Sequence, residues 1–145
     1  MTARLRLDEA PWLDGPAVLA VARGDVVPEL TDRLIRRLDT RRAQMLGALA
    51  GAGPVYGVTT GMGALSQLSL DEAAQSRHQE ALMTARAVGG PPWLSPVETR
   101  AVLAVRLRTF LNGDAAVSSA LCRRLAESIS HGVLPALPRL SLIHI

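Results

Sequence analysis

The segment Gly51-Ala-Gly-Pro-Val-Tyr-Gly-Val-Thr-Thr-Gly-Met-Gly63 breaks all periodicity and carries the chain's single tyrosine, Tyr56, followed by Gly57, Gly61 and Gly63. A loop this long inside a compact domain is either functional or disordered. Val55, Tyr56, Val58 and Met62 make this one too apolar for disorder, and all four need cover. The glycines permit positive φ and close approach of backbone to a ligand. A phosphate cradle is excluded on residue type. Such a loop ends in a lysine and a hydroxyl, whereas Gly63 is followed by Ala64-Leu65. A dinucleotide fingerprint needs a strand before it and a βαβ setting, which helical surroundings deny. What remains is a loop presenting a phenol. Tyrosine works as general acid or base where positive charge or helix N-termini favour its ionised form; otherwise it simply packs the loop.

Other reactive residues offer less. His78, His131 and His144 share no metal-ligand spacing and no acid stands with them as in His-Glu-x-x-His, so no metal is expected. His78 follows Arg77 on a helix and reads as surface, while His131 precedes Gly132 at a helix end. Cys122, beside Leu121 and Leu125, reads as a small packed apolar residue. A lone cysteine excludes an internal disulfide framework and suits a reduced, cytoplasmic setting. Ser118-Ser119 reads as a helix start, and no Gly-x-Ser-x-Gly elbow is present.

The elements that must hold the loop are mainly helices. Leu30, Leu34, Leu38, Met45 and Leu49 form one stripe of a helix over about 29–50, with Arg33, Arg36, Arg37, Arg41 and Arg42 on its other faces. Glu29, Asp32 and Asp39 interrupt those arginines, so the face reads as solvated or subunit-facing. Residues 17–22 predict a short helix stopped by Gly24. Ser69-Leu70-Asp71-Glu72 and Ser95-Pro96-Val97-Glu98 are capping boxes. The first opens a helix to about Ala87 before Gly89-Gly90, and the second a helix to Asn112-Gly113. Val117, Leu121, Leu125 and Ile129 mark a further helix ending at Gly132. Pro135 and Pro138 then enforce extended backbone. Strand signals are confined to the first dozen residues, where Leu5 and Leu7 alternate with Arg4, Arg6 and Asp8.

The 145 residues suit one domain with an aliphatic core, since 48% are apolar and only 3% aromatic. All 16 basic residues are arginine and 13 acids oppose them, a net charge of +3 that permits nucleic acid without indicating it. The longest apolar run, Ala17–Ala22, is too short to span a bilayer. The first residues lack the continuous apolar stretch of a signal peptide.

Val55-Tyr56-Gly57-Val58-Thr59-Thr60-Gly61-Met62-Gly63 resembles the tyrosine-loop signature of the aromatic amino acid lyase family, the histidine, phenylalanine and tyrosine ammonia-lyases and related aminomutases. The likeness continues collinearly through Gln79, Leu82, Ala87 and Gly89, then Leu94, Arg100-Ala101, Arg106, Gly113 and Val117. It also includes Val21-Ala22-Arg23-Gly24 before the loop and Gly132-Val133, Pro135 and Pro138 after it, covering about residues 5–140. The resemblance implies the helical N-terminal part of the lyase fold, with a short extended N-terminus and a mobile Gly-rich tyrosine loop. It implies elimination of ammonia from an aromatic or imidazole α-amino acid without an external cofactor, by means of a methylidene-imidazolone electrophile that the family makes from an internal Ala-Ser-Gly. Tyr56 would be the acid/base, Gly57, Gly61 and Gly63 would let its loop close over substrate, and the full-length protein would be a homotetramer.

Two departures bear on function. After Pro138 the family pattern leads through two residues to Gly-Ser-x-Gly-Ala-Ser-Gly-Asp-Leu, whereas Arg139-Leu140 is followed by Ser141-Leu142-Ile143-His144-Ile145. The expectation is therefore a fragment, 1–140, with a divergent and foreign tail at 141–145, unable to form the electrophile and inactive alone. The position of Arg86 is usually histidine in histidine lyases and influences recognition of the substrate side chain. Arginine there puts histidine as substrate in doubt and could pair with an anionic group; equally, it could be a solvated arginine near a helix end. Thr59 and Met62 replace the commoner asparagine and phenylalanine of the loop, which bears on its rigidity. A histidine-lyase-like activity is the leading expectation, phenylalanine or tyrosine lyase or aminomutase its rival, and a non-catalytic helical interaction module the alternative of another class.

Overall fold

The computed structural model describes residues 2–140, apart from the side chains of residues 50, 65 and 72; the tail at 141–145 lies outside the described residues. The chain divides into two compact units, one comprising the chain up to Leu46 with Trp93–Leu137 and the other Gly47–Pro92 with the chain from Pro138 on.

The first unit begins with strand β1 (Ala3–Leu7), helix α1 (Gly15–Arg23) and strand β2 (Val26–Leu30). Helix α1 follows the sequence reading closely. Asp14 caps it by accepting from the Ala17 N–H, Pro16 sits in its first turn, and Gly24 ends it at φ 83°. Strand β2 pairs in parallel with β1, Leu7 lying opposite Leu30. This pairing corrects the expectation that strands stop after the first dozen residues and that helix begins near 29. Leu30 falls on the helical stripe, and Pro28 argues against an interior strand. In a two-stranded pair every strand is an edge, so the missing proline N–H is tolerated. Helix α2 (Asp32–Ala50) starts only after Thr31, whose hydroxyl lies 2.6 Å from an Asp8 carboxylate oxygen.

Helices α4 (Pro96–Leu111) and α5 (Ser119–His131) complete this unit, and their boundaries match the sequence expectation within a residue or two. Both arms of the Ser95–Glu98 capping box are formed, and Ser118 accepts from the Leu121 N–H. Gly132 stops α5 in the left-handed conformation at φ 68°. Leu103, Leu107 and Leu111 of α4 pack with Leu7, Leu13, Val21, Leu34, Leu38, Cys122 and Ile129 in one aliphatic cluster. The α2 arginines remain at the surface, with Arg41 paired to Asp114 at 2.9 Å and Arg42 donating to the Ala116 carbonyl.

In the second unit lie the loop and helix α3 (Glu72–Arg86). Strand β3 (Gly90–Trp93) pairs with β4 (Pro138–Leu140). The first of the two expected capping boxes is corrected. Ser69 is drawn into an isolated antiparallel bridge with Thr60, so Asp71 becomes the cap and accepts from the Ala74 N–H at 2.7 Å. A carboxylate at that position complements the positive end of the helix as well as its free amides.

The two faces of α4 yield a direct test. Leu107 is wholly buried while Val105 is 53% exposed. Leu107→Ala is expected to cost about 2–5 kcal/mol by cavity formation, and Val105→Ala about 0.5 kcal/mol or less. Urea unfolding followed by far-UV circular dichroism measures both.

Candidate functional site at the tyrosine loop

The backbone of residues 55–70 is held mainly by the segment itself. The Val55 carbonyl accepts from the N–H groups of Val58, Thr59 and Thr60, and the Val55 N–H donates to the Thr59 hydroxyl at 2.8 Å. Gly61 N–H donates to the Leu68 carbonyl and Leu70 N–H to the Thr59 carbonyl, bonds that flank the Thr60–Ser69 bridge. Thr60 is buried, its hydroxyl donating to the Gly61 carbonyl at 3.1 Å. The chain thus replaces regular structure with a compact knot of turns, using threonine hydroxyls that can bond to nearby backbone.

The phenol stands out from this knot. Tyr56 is 59% exposed, and its hydroxyl oxygen accepts from the Gly63 N–H at 3.1 Å. Val58 is exposed as well, so the expected cover over Tyr56 and Val58 is not provided. Gly57 and Gly63 adopt φ of 70° and 58°, as the sequence predicts for residues released from Cβ strain. Gly61 does not: it is buried, its φ is not positive, and its role is the bond to Leu68.

Helix α3 bonds to residues 55–70 at three points, the first being the Gln75 side-chain amide, which donates to the Leu70 carbonyl at 2.8 Å. Gln79 donates from its side-chain amide to the Gly57 carbonyl at 2.8 Å. Arg86, one residue before the helix cap, reaches the Met62 sulfur at 3.9 Å. Met62 in turn lies so close to Gly57 that a Cβ there would sit 3.2 Å from its Cγ. The sequence singled out Tyr56, Arg86 and the glycines, of which Gly57 and Arg86 both meet Met62 while Tyr56 is bonded to Gly63. It did not select Gln79 as a contact. The available signal was a polar residue seven positions before Arg86, which places the two on one helix face.

The remaining candidates lie elsewhere. A cleft of about 510 Å³ in the first unit is lined by Arg4, Glu29, Arg123, Glu127, Ser130 and His131, among others, and contains neither Tyr56 nor Arg86. His78 corrects its surface assignment: it is half-buried, and among the described residues its Nε2 is shielded with no hydrogen-bond partner. Arg77 suggested a solvated stretch, yet adjacent helix positions point about 100° apart and need not share an environment. Among the described residues no group of three or more His, Cys, Asp or Glu is placed to hold a metal ion. No helix among them is long and apolar enough to cross a membrane.

The described residues form a mainly helical chain carrying a Gly-rich loop with one exposed tyrosine, and comparison with known proteins assigns it to a family. The aromatic amino acid lyase family model matches residues 13–141. A MIO-dependent tyrosine 2,3-aminomutase of Streptomyces globisporus is 34% identical over 87 residues, which are 60% of this chain and 16% of the relative. A histidine ammonia-lyase of Streptomyces avermitilis is 30% identical over 118 residues, 81% of this chain and 23% of the relative. The solved tyrosine aminomutase from Streptomyces globisporus superposes with a TM-score of 0.82 at 28% identity, over 97% of this chain and 26% of that one. The chain belongs to the aromatic amino acid lyase family. It spans about a quarter or less of the length of these relatives.

The chain's one thiol serves as a reporter of packing. Burial, the largest influence, pushes the Cys122 thiol above its ordinary 9.0; a backbone hydrogen bond opposes this and the nearby Asp39 charge adds to it. Native Cys122 is therefore expected to react with a disulfide reagent far more slowly than in the urea-unfolded chain. As pH rises past 9.0 the unfolded thiol loses its proton while the folded one keeps it. The thiol's contribution to stability is thus intact below that pH and is lost above it. Cys122→Ala removes this pH dependence, which urea midpoints between pH 8 and 10.5 would detect.

Proposed function

We propose that this chain is the tyrosine-loop portion of an ammonia-lyase-type enzyme that removes ammonia from an α-amino acid with an aromatic or imidazole side chain. The observation that carries the reading is Tyr56: one phenol, 59% exposed, on a loop whose backbone is bonded largely within itself, in a chain that matches the lyase family. In this reading the phenolic oxygen moves the proton taken from the substrate carbon. The Gly63 N–H that it now accepts would help hold the oxygen ready for that role. Gly57 and Gly63 supply the left-handed turns about which the loop closes and excludes water. Arg86 lies near the substrate side chain, where its guanidinium can pair with an anionic group. Its present contact with the Met62 sulfur is weak enough to exchange for such a partner.

The family's electrophile, when present, draws on the amino group and turns it into a leaving group. The residues of this chain do not fit that task, because no Ala-Ser-Gly triplet occurs among the 145. The chain is proposed to be inactive by itself, in a cytoplasmic setting, and to need the family-length polypeptide and its homotetrameric assembly. A histidine ammonia-lyase-like reaction is the leading proposal. The similarity to a tyrosine 2,3-aminomutase keeps tyrosine or phenylalanine lyase and aminomutase chemistry beside it.

A second reading, a helical interaction module without catalysis, is favoured by one observation. Val102 and Val105 of α4 are 46% and 53% exposed on the side of the helix opposite Leu103 and Leu107, giving it two apolar faces. A helix with apolar residues on opposite sides calls for cover on both, here between the charged positions Arg100, Arg106 and Arg108.

When the chain is extended by its natural downstream sequence carrying Ala-Ser-Gly, histidine, phenylalanine or tyrosine should yield an ultraviolet-absorbing unsaturated acid. Tyr56→Phe should lower kcat by about a hundred- to ten-thousandfold. An extended protein inert on every amino acid, yet self-associating in a manner that Val105→Glu abolishes by sedimentation velocity, would establish the module instead.

A further inference from the structure

We infer that Gln79 is a positioning residue for the tyrosine loop, tying the peptide beside Tyr56 to the rigid frame of helix α3. The purpose of this tie rests on the acid/base reading of Tyr56, whereas its existence rests on geometry alone. Much of the bonding inside the loop runs between residues 55 and 70, so those bonds fix the loop's shape without fixing its place. The Gln79 side-chain amide reaches across 22 positions of sequence to the Gly57 carbonyl at 2.8 Å. Gly57 directly follows Tyr56 and adopts φ 70°, so the direction of its carbonyl is coupled to the course of the chain leaving the phenol.

The contact is specific in kind. A backbone carbonyl needs a donor, and the glutamine amide supplies one without bringing a charge near the phenol. Two turns along the same helix face, Arg86 reaches Met62, whose side chain lies against Gly57. Gly57 is thereby fixed by a hydrogen bond at its carbonyl and by a side chain against its Cα, both referred to α3. Of the two contacts, that of Gln79 is the stronger, because sulfur is a weak acceptor.

Gln79 is exposed, so its replacement leaves no buried group unpaired, and the variants are expected to fold. The test is limited chymotrypsin digestion of the full 145-residue chain, with mass spectrometry following cleavage of the Tyr56–Gly57 bond. Cleavage after Phe110, within α4, is the internal control. Gln79→Ala removes the donor, Gln79→Glu keeps the shape and cannot donate, and Gln79→Lys restores a donor. The Ala and Glu variants should be cut at Tyr56 about fivefold faster, as expected for loss of one exposed hydrogen bond. Lys should return the rate toward that of the unaltered chain, and cleavage at Phe110 should not change in any variant. Hydrogen exchange at the Gly63 amide, the donor to the phenol, should accelerate in parallel.

Unchanged rates at Tyr56 in the Ala and Glu variants would overturn the inference. So would equal acceleration at Tyr56 and Phe110, which would indicate general destabilisation. Neither result bears on the acid/base reading. That reading falls separately if Tyr56→Phe leaves the extended enzyme's kcat intact.

Discussion

Every polar backbone group in an irregular segment has to find a partner, and residues 55–70 meet this demand with few regular elements. The Val55 carbonyl gathers three successive N–H groups, the Thr59 hydroxyl takes the Val55 N–H, and Thr60 turns inward to bond the Gly61 carbonyl. These short-range bonds let a loop rich in glycine hold one shape despite the entropy such residues forfeit on ordering. Because the knot is closed mostly on itself, the tyrosine is left outside it. The exposure of Tyr56 is thus a consequence of how the backbone around it is satisfied.

The two units differ in what stabilises them. In the first, an aliphatic cluster from β1, α1, α2, α4 and α5 is wholly enclosed, and both helix ends of α5 are capped. In the second, the described residues contribute no fully buried large apolar side chain. Leu68, Met83 and Val88 are exposed, and hydrogen bonds carry the order. Local opening is cheapest where few apolar contacts must be broken. The proposed closure of the tyrosine loop would draw on this low cost of opening, with helix α3 as the element the loop is bonded to.

Membership of the lyase family and the glycine-tyrosine geometry support one another without being the same argument. The family match concerns order along the chain. The geometry concerns why Gly57 and Gly63 cannot be replaced cheaply: both lie at positive φ, and Gly57 is also crowded by Met62. Thr59 and Met62 each make a contact that ties the loop, a hydroxyl on the Val55 N–H and a sulfur beside Arg86.

The helices were legible in the chain before folding because their signals are local: Gly24 after α1, the Ser95–Glu98 box, and Ser118 and Gly132 around α5. The sequence also singled out Tyr56, since one tyrosine among glycines needs no distant partner to be conspicuous. Other features needed long-range partners. Val26–Leu30 became a strand because β1 was there to pair with it, overriding a proline that argues against strands. Asp71 displaced Ser69 as a cap because Ser69 was taken by Thr60. Gln79 acquired its role from a carbonyl 22 positions away. In each case the deciding partner is remote in the chain, and a residue's own type and spacing carry no record of which remote group folding will bring beside it.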